Sequence, residues 1–504
     1  MSHYLGIDIG TFESKGVLVD SDGAVVAQAS RPHRMLVPEP GFAEHRAIED
    51  WWNDFTAISR ELIERSGVAP GAIRAVGTSA IGPCMLPVDA AGEPLMNAVL
   101  YGVDTRAAKE IEELTAAIGE GVLLDRCGNA LTSQAVGPKI LWLKRNRPEI
   151  FAKTAKIVTS TTFLVHRLTG TFVVDHYTAA NNSPVYDVGR QDWDFSLAPD
   201  LVDRALLPDS AWTTDIAGRV TARAARETGL AEGTPVIVGT VDASAEALSV
   251  GVLDPGDMML MYGSTIFIIM VTADRVRDAR LWYAPWLFPG EHASMSGLAT
   301  SGTLTHWFRD TLAKELDPAT AMIALAAEAE TSPPGARGLV LLPYFSGERT
   351  PIHDPHAKGV LFGLNLTHTR GDIYRALLEG IACGTNHIVD TYLEAGQDPR
   401  AILAVGGGTR NRVWAQATSD VSGRTQIVRE KTVGASYGDA FLAALGVGDV
   451  TKDDIRRWNP VATEVVANPA NAAVYRRQYA AFRDLYRDTR GLMRQLDEPA
   501  EASP

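Results

Sequence analysis

Two aspartates stand where a strand gives way to a turn of small residues, a combination that phosphate chemistry needs. The first, Asp8, lies in Gly6-Ile7-Asp8-Ile9-Gly10-Thr11-Phe12-Glu13-Ser14-Lys15. A carboxylate at a strand end can hold Mg²⁺ directly or through water, while the donors of Gly10, Thr11 and Lys15 can face phosphate oxygens. The second, Asp242, follows the apolar run Val236-Ile237-Val238 and the small residues Gly239-Thr240-Val241, with Ala243-Ser244-Ala245-Glu246 opening a helix behind it. At a helix start the dipole keeps a carboxylate ionised, and such a group can accept the proton of an attacking hydroxyl. Each has a plainer alternative: Asp8 as a turn cap and Asp242 as a helix N-cap.

Further along, Val405-Gly406-Gly407-Gly408-Thr409-Arg410-Asn411 offers a backbone that a ligand can approach closely, ahead of a helix whose N–H groups can meet an anion. No GxxxxGKS/T run occurs, so a P-loop is disfavoured as the nucleotide site.

The elements that must hold these residues follow from the hydrophobic pattern. Tyr4 to Gly10, Gly16 to Val19 and Ala24 to Ala27 read as three antiparallel strands, the last two joined at Ser21-Asp22-Gly23. Trp52, Phe55, Ile58, Leu62 and Ile63 recur at helical steps between Asp50 and Ser66, and Gly67 stops that helix. A parallel strand is expected at Ile73 to Thr78, and helices at Thr105 to Ile118, from Pro138 and from Pro148. The stretch Thr171 to Trp212 is polar, aromatic and irregular, and is expected to cover a cleft. At Asp257 to Tyr262 the opening pattern returns: a strand, the turn Gly263-Ser264-Thr265, and a strand from Ile266 to Val271. Two such units facing each other would place both turns at a shared cleft. A long helix from Asp372 to Ala395, a buried strand from Ala401 to Val405, and a last helix from Ala435 to Leu445 complete the pattern.

Composition narrows the class. The 504 residues suggest two or three domains, and 46% hydrophobic with 21% charged residues is ordinary for a globular α/β protein. A formal net charge of −14 with scattered Lys and Arg argues against nucleic acid as a partner. The most apolar stretch, Met258 to Val271, is too short and too interrupted for a membrane helix. Three cysteines, Cys84, Cys127 and Cys383, show no pairing pattern, so a reducing, cytoplasmic setting is expected. Trp51 and Trp52 read as core aromatics, and His353 and His356 lack ligand partners at zinc spacing.

Together the motifs resemble the FGGY carbohydrate kinases, with xylulokinase-like members nearest in likeness. The resemblance runs in order through Gly6 to Lys15, Lys139-Ile140-Leu141-Trp142-Leu143 with Pro148 to Phe151, Leu168-Thr169-Gly170, and Asp242. It continues through Gly263-Ser264-Thr265, Ser301-Gly302 before Trp307, Gly347 to Pro351, Phe362-Gly363-Leu364, Arg375 to Gly380 and the glycine triplet. It implies an α/β fold of two ribonuclease-H-like (actin-like ATPase) domains with an interdomain cleft. Residues 1–250 would carry the sugar site and catalytic base, 251–490 would carry ATP, and 491–504 would form a disordered tail.

By the same resemblance Asp8 takes the metal-associated place and Asp242 that of the catalytic base, also near the metal. Gly10, Thr11 and Lys15 belong to the first phosphate turn, Gly263, Ser264, Thr265 and Gly302 to the second, and Gly407, Gly408 and Asn411 lie along the α-phosphate and adenosine. Asp104 and Arg106 match an acidic and basic pair near the sugar. The implied cofactors are ATP and Mg²⁺, the implied partner is a small sugar or polyol, and the family's frequent dimers leave a homodimer open.

Departures fall where sugar identity is decided. Ile81-Gly82-Pro83 replaces a Gln-Met-His run, Ala243 replaces an asparagine after the catalytic aspartate, and Thr162-Phe163 replaces an Asp-Tyr pair. Ribulose, tetritol or glycerol specificity, and a non-catalytic actin-like ATPase or metabolite sensor, stay open on these residues.

Overall fold

The computed structural model describes residues 2–497. Its first sheet is built from β1 (His3–Ile9), β2 (Glu13–Asp20), β3 (Val25–Pro32), β4 (Ile73–Ala80), β5 (Ile216–Arg219), β6 (Pro235–Ile237) and β7 (Thr240–Val241). Its order is β5-β6-β4-β1-β2-β3, with β7 also on β4. β1 to β3 pair antiparallel, whereas β1, β6 and β7 run parallel to β4. All seven residues of β1 are buried, as a central strand covered on both faces requires.

The second sheet comprises β8 (Asp257–Tyr262), β9 (Ile266–Thr272), β10 (Trp282–Pro285), β11 (His292–Leu298), β12 (Ala401–Val405), β13 (Gln426–Arg429) and β14 (Val461–Val465). Its order is β10-β11-β9-β8-β12-β13-β14. β8, β9 and β11 are antiparallel, and β12 and β13 extend the sheet in parallel from β8. This is the first sheet's pattern again, so the recurring strand and turn seen in the sequence is a recurring topology.

The helices include α1 (Asn53–Ser66), α2 (Ser160–Thr169), α3 (Asp242–Ser249), α4 (Gly302–Leu312), α5 (Arg370–Glu394), α6 (Arg412–Ser422), α7 (Ala435–Gly446) and α8 (Ala472–Asp497); α1, α3, α5, α6 and α7 stand where the sequence pattern places them. Gly67 ends α1 at φ 65°, and Thr369 with Asp372 forms a capping box at the start of α5. Three sequence expectations change. The helix from Pro138 begins two residues earlier, at Val136, because proline is tolerated throughout a first helical turn. The irregular stretch after Thr171 is packed rather than draped: Tyr177, Tyr186 and Trp193 are buried, and Tyr177 donates to Met295 Sδ at 2.8 Å across the two halves. Finally, α7 is not the last helix. α8 spans residues 472–497 with Tyr475, Phe482 and Met493 buried, so 491–497 is an ordered helix end and not a loose tail; 498–504 lie outside the described residues.

Helix α7, from the second half of the chain, packs on the first sheet. Gly6 and Gly77 make this approach possible, since a Cβ there would come within 2.0 Å of Ser436 O and 2.1 Å of Asp439 O. Gly438 does the same toward α3, where a Cβ would fall 2.0 Å from Ala245 O. Beyond α7, Trp458 packs against Tyr4 and Phe441, and Tyr437 Oη donates to Gly23 O at 2.7 Å. Thus the second half's chain clamps the first half's central strands.

A Gly77→Val substitution should cost about 3 kcal/mol, because overpacking forces backbone apart here. Gly71→Ala, at a position with open space around it, should stay within about 0.5 kcal/mol. Chemical denaturation of both variants measures the difference.

Candidate active site

Strand register brings the two aspartates together. Asp8 pairs with Ser79 on β4, and Ser79 pairs with Thr240 on β7, so Asp8 and Thr240 stand two strands apart at one sheet edge. Two inter-strand spacings amount to about 10 Å. Asp242 follows two residues later as the first residue of α3, its Oδ1 accepting from its neighbour Ala243 N–H at 2.7 Å. It is not the N-cap, which is Val241. Thr240 is fastened below by Asp175, whose Oδ2 accepts its hydroxyl at 2.9 Å, and by Thr161, which donates to its carbonyl at 2.7 Å.

Two further carboxylates join the pair. Glu246 lies one helical turn beyond Asp242, on the same face of α3. Asp439 enters from α7, where its Oδ2 accepts from Ser79 N–H at 3.1 Å and Ser79 Oγ at 2.8 Å. The same hydroxyl lies 3.3 Å from Asp8 Oδ1, and Asp439 Oδ1 is buried without a partner among the described residues. Burial, followed by the charges of Asp242, Asp439 and Glu246, pushes Asp8 well above the carboxylate range. Burial likewise pushes Asp242 up to about 7, with Glu246 adding to the rise. Asp439 and Glu246 are raised for the same first reason, and the Lys15 ammonium partly offsets the rise at Glu246.

Both turns are wired alike. In the first, Gly10 N–H donates to Glu13 O at 3.1 Å, and Thr11 Oγ1 lies 3.5 Å from Tyr101 Oη. Lys15 is exposed and paired with Glu13 at 3.2 Å. In the second, Gly263 N–H donates to Thr265 O at 3.1 Å, while Ser301 and Gly302 N–H hold the carbonyls of Ser264 and Gly263 at 3.1 and 3.0 Å. Gly302 serves that junction, since a Cβ would come within 2.4 Å of Gly263 O. Behind it Glu348 accepts from Ala299 and Arg349 N–H at 2.6 and 2.7 Å; burial pushes this carboxyl up to about 7. Arg349 is exposed, and its charge acts on Tyr101 of the first half, so the halves face each other here.

Of the glycine triplet, Gly407 alone is open, with nothing within 4 Å of a Cβ. Gly406, at φ 90°, and Gly408 are needed for packing on Tyr262 and Trp414. Asn411 caps α6, accepting from Trp414 N–H at 3.2 Å.

The expected sugar-side residues divide differently. Ile81 is fully buried in the first half's core, and its carbonyl accepts from Cys84 Sγ and Ser160 Oγ, so its side chain does not line the cleft. Gly82 is half-buried and approaches Val241, Pro83 is buried, and Ala243 lies half-buried beside Asp242. Asp104 and Arg106 are an internal ion pair at 2.8 Å, the guanidinium only 1% exposed, stacked on Phe42 and bonded also to Glu44. Asp104 further holds Ala43 N–H at 2.7 Å. Their polar groups serve the protein itself. Thr162 and Phe163 are also interior: Thr162 donates to Val173 O, and Phe163 packs on Trp51.

Sequence reasoning missed Asp439, Ser79, Glu246 and Tyr101. A readable signal existed for two of them: Asp439 is a lone acid inside an otherwise apolar helix, and Glu246 stands four residues from Asp242. Four crowded carboxylates, one with an orphaned oxygen, suit a divalent cation. Among the described residues no three side chains converge closely enough to cage a metal themselves. The donor set therefore fits an ion completed by water and phosphate oxygens, the usual state of Mg²⁺.

Comparison with known proteins places this geometry. Residues 3–249 match the N-terminal domain, and 258–447 the C-terminal domain, of the FGGY family of carbohydrate kinases. Xylulose kinase of Bacillus subtilis (strain 168) is 27% identical over 497 residues, covering 98% of each chain, and that of Escherichia coli (strain K12) is 28% identical, covering 97% of this chain and 100% of the other. The crystal structure of xylulose kinase from Rhodospirillum rubrum superposes with a TM-score of 0.92 at 34% identity, over 98% of this chain and 100% of that one.

Because the Asp242 carboxyl is protonated more readily in the folded state, it subtracts stability progressively as pH rises from the ordinary carboxylate range through about 7. Asp242→Asn should therefore raise unfolding free energy at pH 8 by about 1–3 kcal/mol. The gain should shrink toward pH 4.5, as denaturant titrations at the two pH values would record.

Proposed function

The chain belongs to the FGGY family of carbohydrate kinases, and we propose that it transfers the terminal phosphoryl group of ATP to a terminal hydroxyl of a small ketose or polyol. Xylulose, the sugar named for the relatives above, heads the candidates. The observation that carries the reading is Asp242: a carboxylate on the first turn of α3, beside Asp8, with its pKa moved to about 7. A general base is most effective when its pKa lies near the working pH.

In this mechanism the acceptor lies against the first half, bordered by Gly82, Pro83, Ala243 and Tyr101. Asp242 accepts the proton of the attacking hydroxyl, and the backbone N–H groups of the two turns, with Thr11, Ser264, Thr265 and Lys15, hold the phosphate oxygens. Gly407 gives the remainder of the nucleotide a surface without side chains. Mg²⁺, when bound, would be held by Asp8 and Asp242 through oxygen and water, and would neutralise charge on the phosphates. Ser79, fixed by Asp439, sets its hydroxyl beside Asp8. Closing of the halves excludes water, which would otherwise compete as acceptor.

Ile81 and Thr162 lie in the interior and so do not contribute to sugar choice. The departures that reach the cleft are the missing Gln-Met-His side chains and the apolar Ala243. A pocket with fewer hydrogen-bonding groups discriminates less sharply among hydroxyl patterns, which keeps polyols beside ketoses as acceptors.

Asp242→Asn and Asp242→Ala should lower kcat by about 10³-fold or more while ATP affinity stays within a few-fold. In the wild type, kcat/KM should rise with pH through about 7 as the base loses its proton. Coupled ADP release with ketopentoses, ketohexoses, tetritols, pentitols and glycerol ranks the acceptors. Acceptor-independent ADP release, or near-normal turnover of either variant, counts against the reading.

A further inference from the structure

The first phosphate turn is gripped from behind by polar groups that no step above uses. His33, the residue after β3, donates its backbone N–H to Phe12 O at 3.0 Å. Its ring Nε2 lies 2.9 Å from Gly10 O, and its Nδ1 lies 3.1 Å from Asp54 Oδ2 on α1. Ser14 Oγ donates to the same Asp54 oxygen at 2.7 Å and is 3.3 Å from Nδ1. With Glu13 O taken by Gly10 N–H, the carbonyls of Gly10, Phe12 and Glu13 are all engaged within the protein. The N–H groups of Thr11 and Phe12, by contrast, have no hydrogen-bond partner among the described residues. Carbonyls fastened on one side and free N–H groups on the other are the make-up of an anion-binding turn.

The ring can satisfy both contacts only when doubly protonated. A neutral imidazole has one N–H, so either Gly10 O loses its donor or a lone pair faces the Asp54 carboxylate. The surroundings favour the charged form. Burial works against it, but the bonds to Asp54 and Gly10 and the charges of Asp54 and Asp50 outweigh burial and raise the pKa above 6.5. Around the ring stand Asp54 and Ser14, the Gly10 carbonyl, Asp50 with its ion-pair partner Arg46, and the edge of His45 at 5.0 Å between centroids. His45 is kept neutral by burial, pushed down to about 4, so it adds little opposing charge.

We propose that His33 is the positioning residue of the phosphate turn: as an imidazolium it ties the Gly10 carbonyl to Asp54 of α1 and thereby keeps the Thr11 and Phe12 N–H groups aimed at the terminal phosphates of ATP. This rests on the kinase reading above and adds a residue that touches neither substrate.

The test uses the full-length protein with His33→Phe and His33→Gln, the latter keeping one donor for Gly10. Loss of a charge-assisted hydrogen bond should lower kcat/KM for ATP on the order of 10- to 100-fold in His33→Phe, with the acceptor KM within about twofold. His33→Gln should recover most of this. The wild-type association constant for ATP, measured by calorimetry without acceptor, should fall as pH rises past a midpoint above 6.5, and that alkaline fall should be absent from His33→Gln. Titration calorimetry with ATP judges the inference separately from turnover: wild-type affinity in His33→Phe overturns it even if no acceptor is found. An alkaline fall that persists in His33→Gln also overturns it, as does an equal loss toward both substrates with a lowered thermal midpoint, which would mark His33 as a packing residue.

Discussion

The structure is organised around like charges held close together in a buried place. Asp8, Asp242, Glu246 and Asp439 share one crevice; burial raises all four above ordinary carboxylates, and repulsion from neighbouring carboxylates adds to the rise at Asp8, Asp242 and Asp439. Such an arrangement is costly in an unliganded protein, because each ionised group loses water without gaining a cation. It is tolerated because Ser79 supplies two donors to Asp439, Ala243 N–H reaches Asp242, and Lys15 lies near Glu246. On the kinase reading, a metal–triphosphate complex would bring the cation that the protein leaves out, so the cost of burial would also be a source of affinity for that ligand.

Holding the cluster together requires backbone contact between distant parts of the chain. Gly6 and Gly77 leave no Cβ between β1, β4 and α7, and Gly438 leaves none between α7 and α3. Helix α7 of the second half thereby sits on the strands that carry Asp8 and Ser79. Charge state at the cluster and packing between the halves are consequently linked in one place, where any relative motion of the halves must shift Asp439 or the strands beneath it.

The two turns show one solution used twice. Each follows a central strand, closes with a glycine N–H to a carbonyl within the turn, and has its other carbonyls taken by neighbouring groups: His33 in one case, Ser301, Gly302 and Thr303 in the other. What differs is the anchor. The first depends on a titratable ring, and the second on the N-terminus of α4 with the Glu348 carboxyl behind it. Elsewhere in the first half, charged side chains tie backbone segments together directly. Lys139, buried, ties the carbonyls of Leu100 and Ser133 at 2.6 and 2.7 Å, and the Arg106 network ties the 42–44 segment to the 104–106 turn.

By itself the sequence determined the repeated strand and turn units, the strand-end and helix-start places of Asp8 and Asp242, and the two glycine-bearing turns. Alternation, turn chemistry and glycine placement are local, and local rules govern them. Only the tertiary structure decided which side chains meet. Asp104 and Arg106 read as pocket residues by position, yet they are consumed by Glu44, Ala43 and Phe42, which lie far away in the chain. Ile81 faces the core because the register of β4 continues one residue past its end, where Ile81 N–H donates to Ile9 O. Asp439 and His33 act through contacts spanning 360 and 23 residues of separation. No spacing rule reaches that far, because such partners are set by the packing of a helix on a sheet and not by the residues beside them.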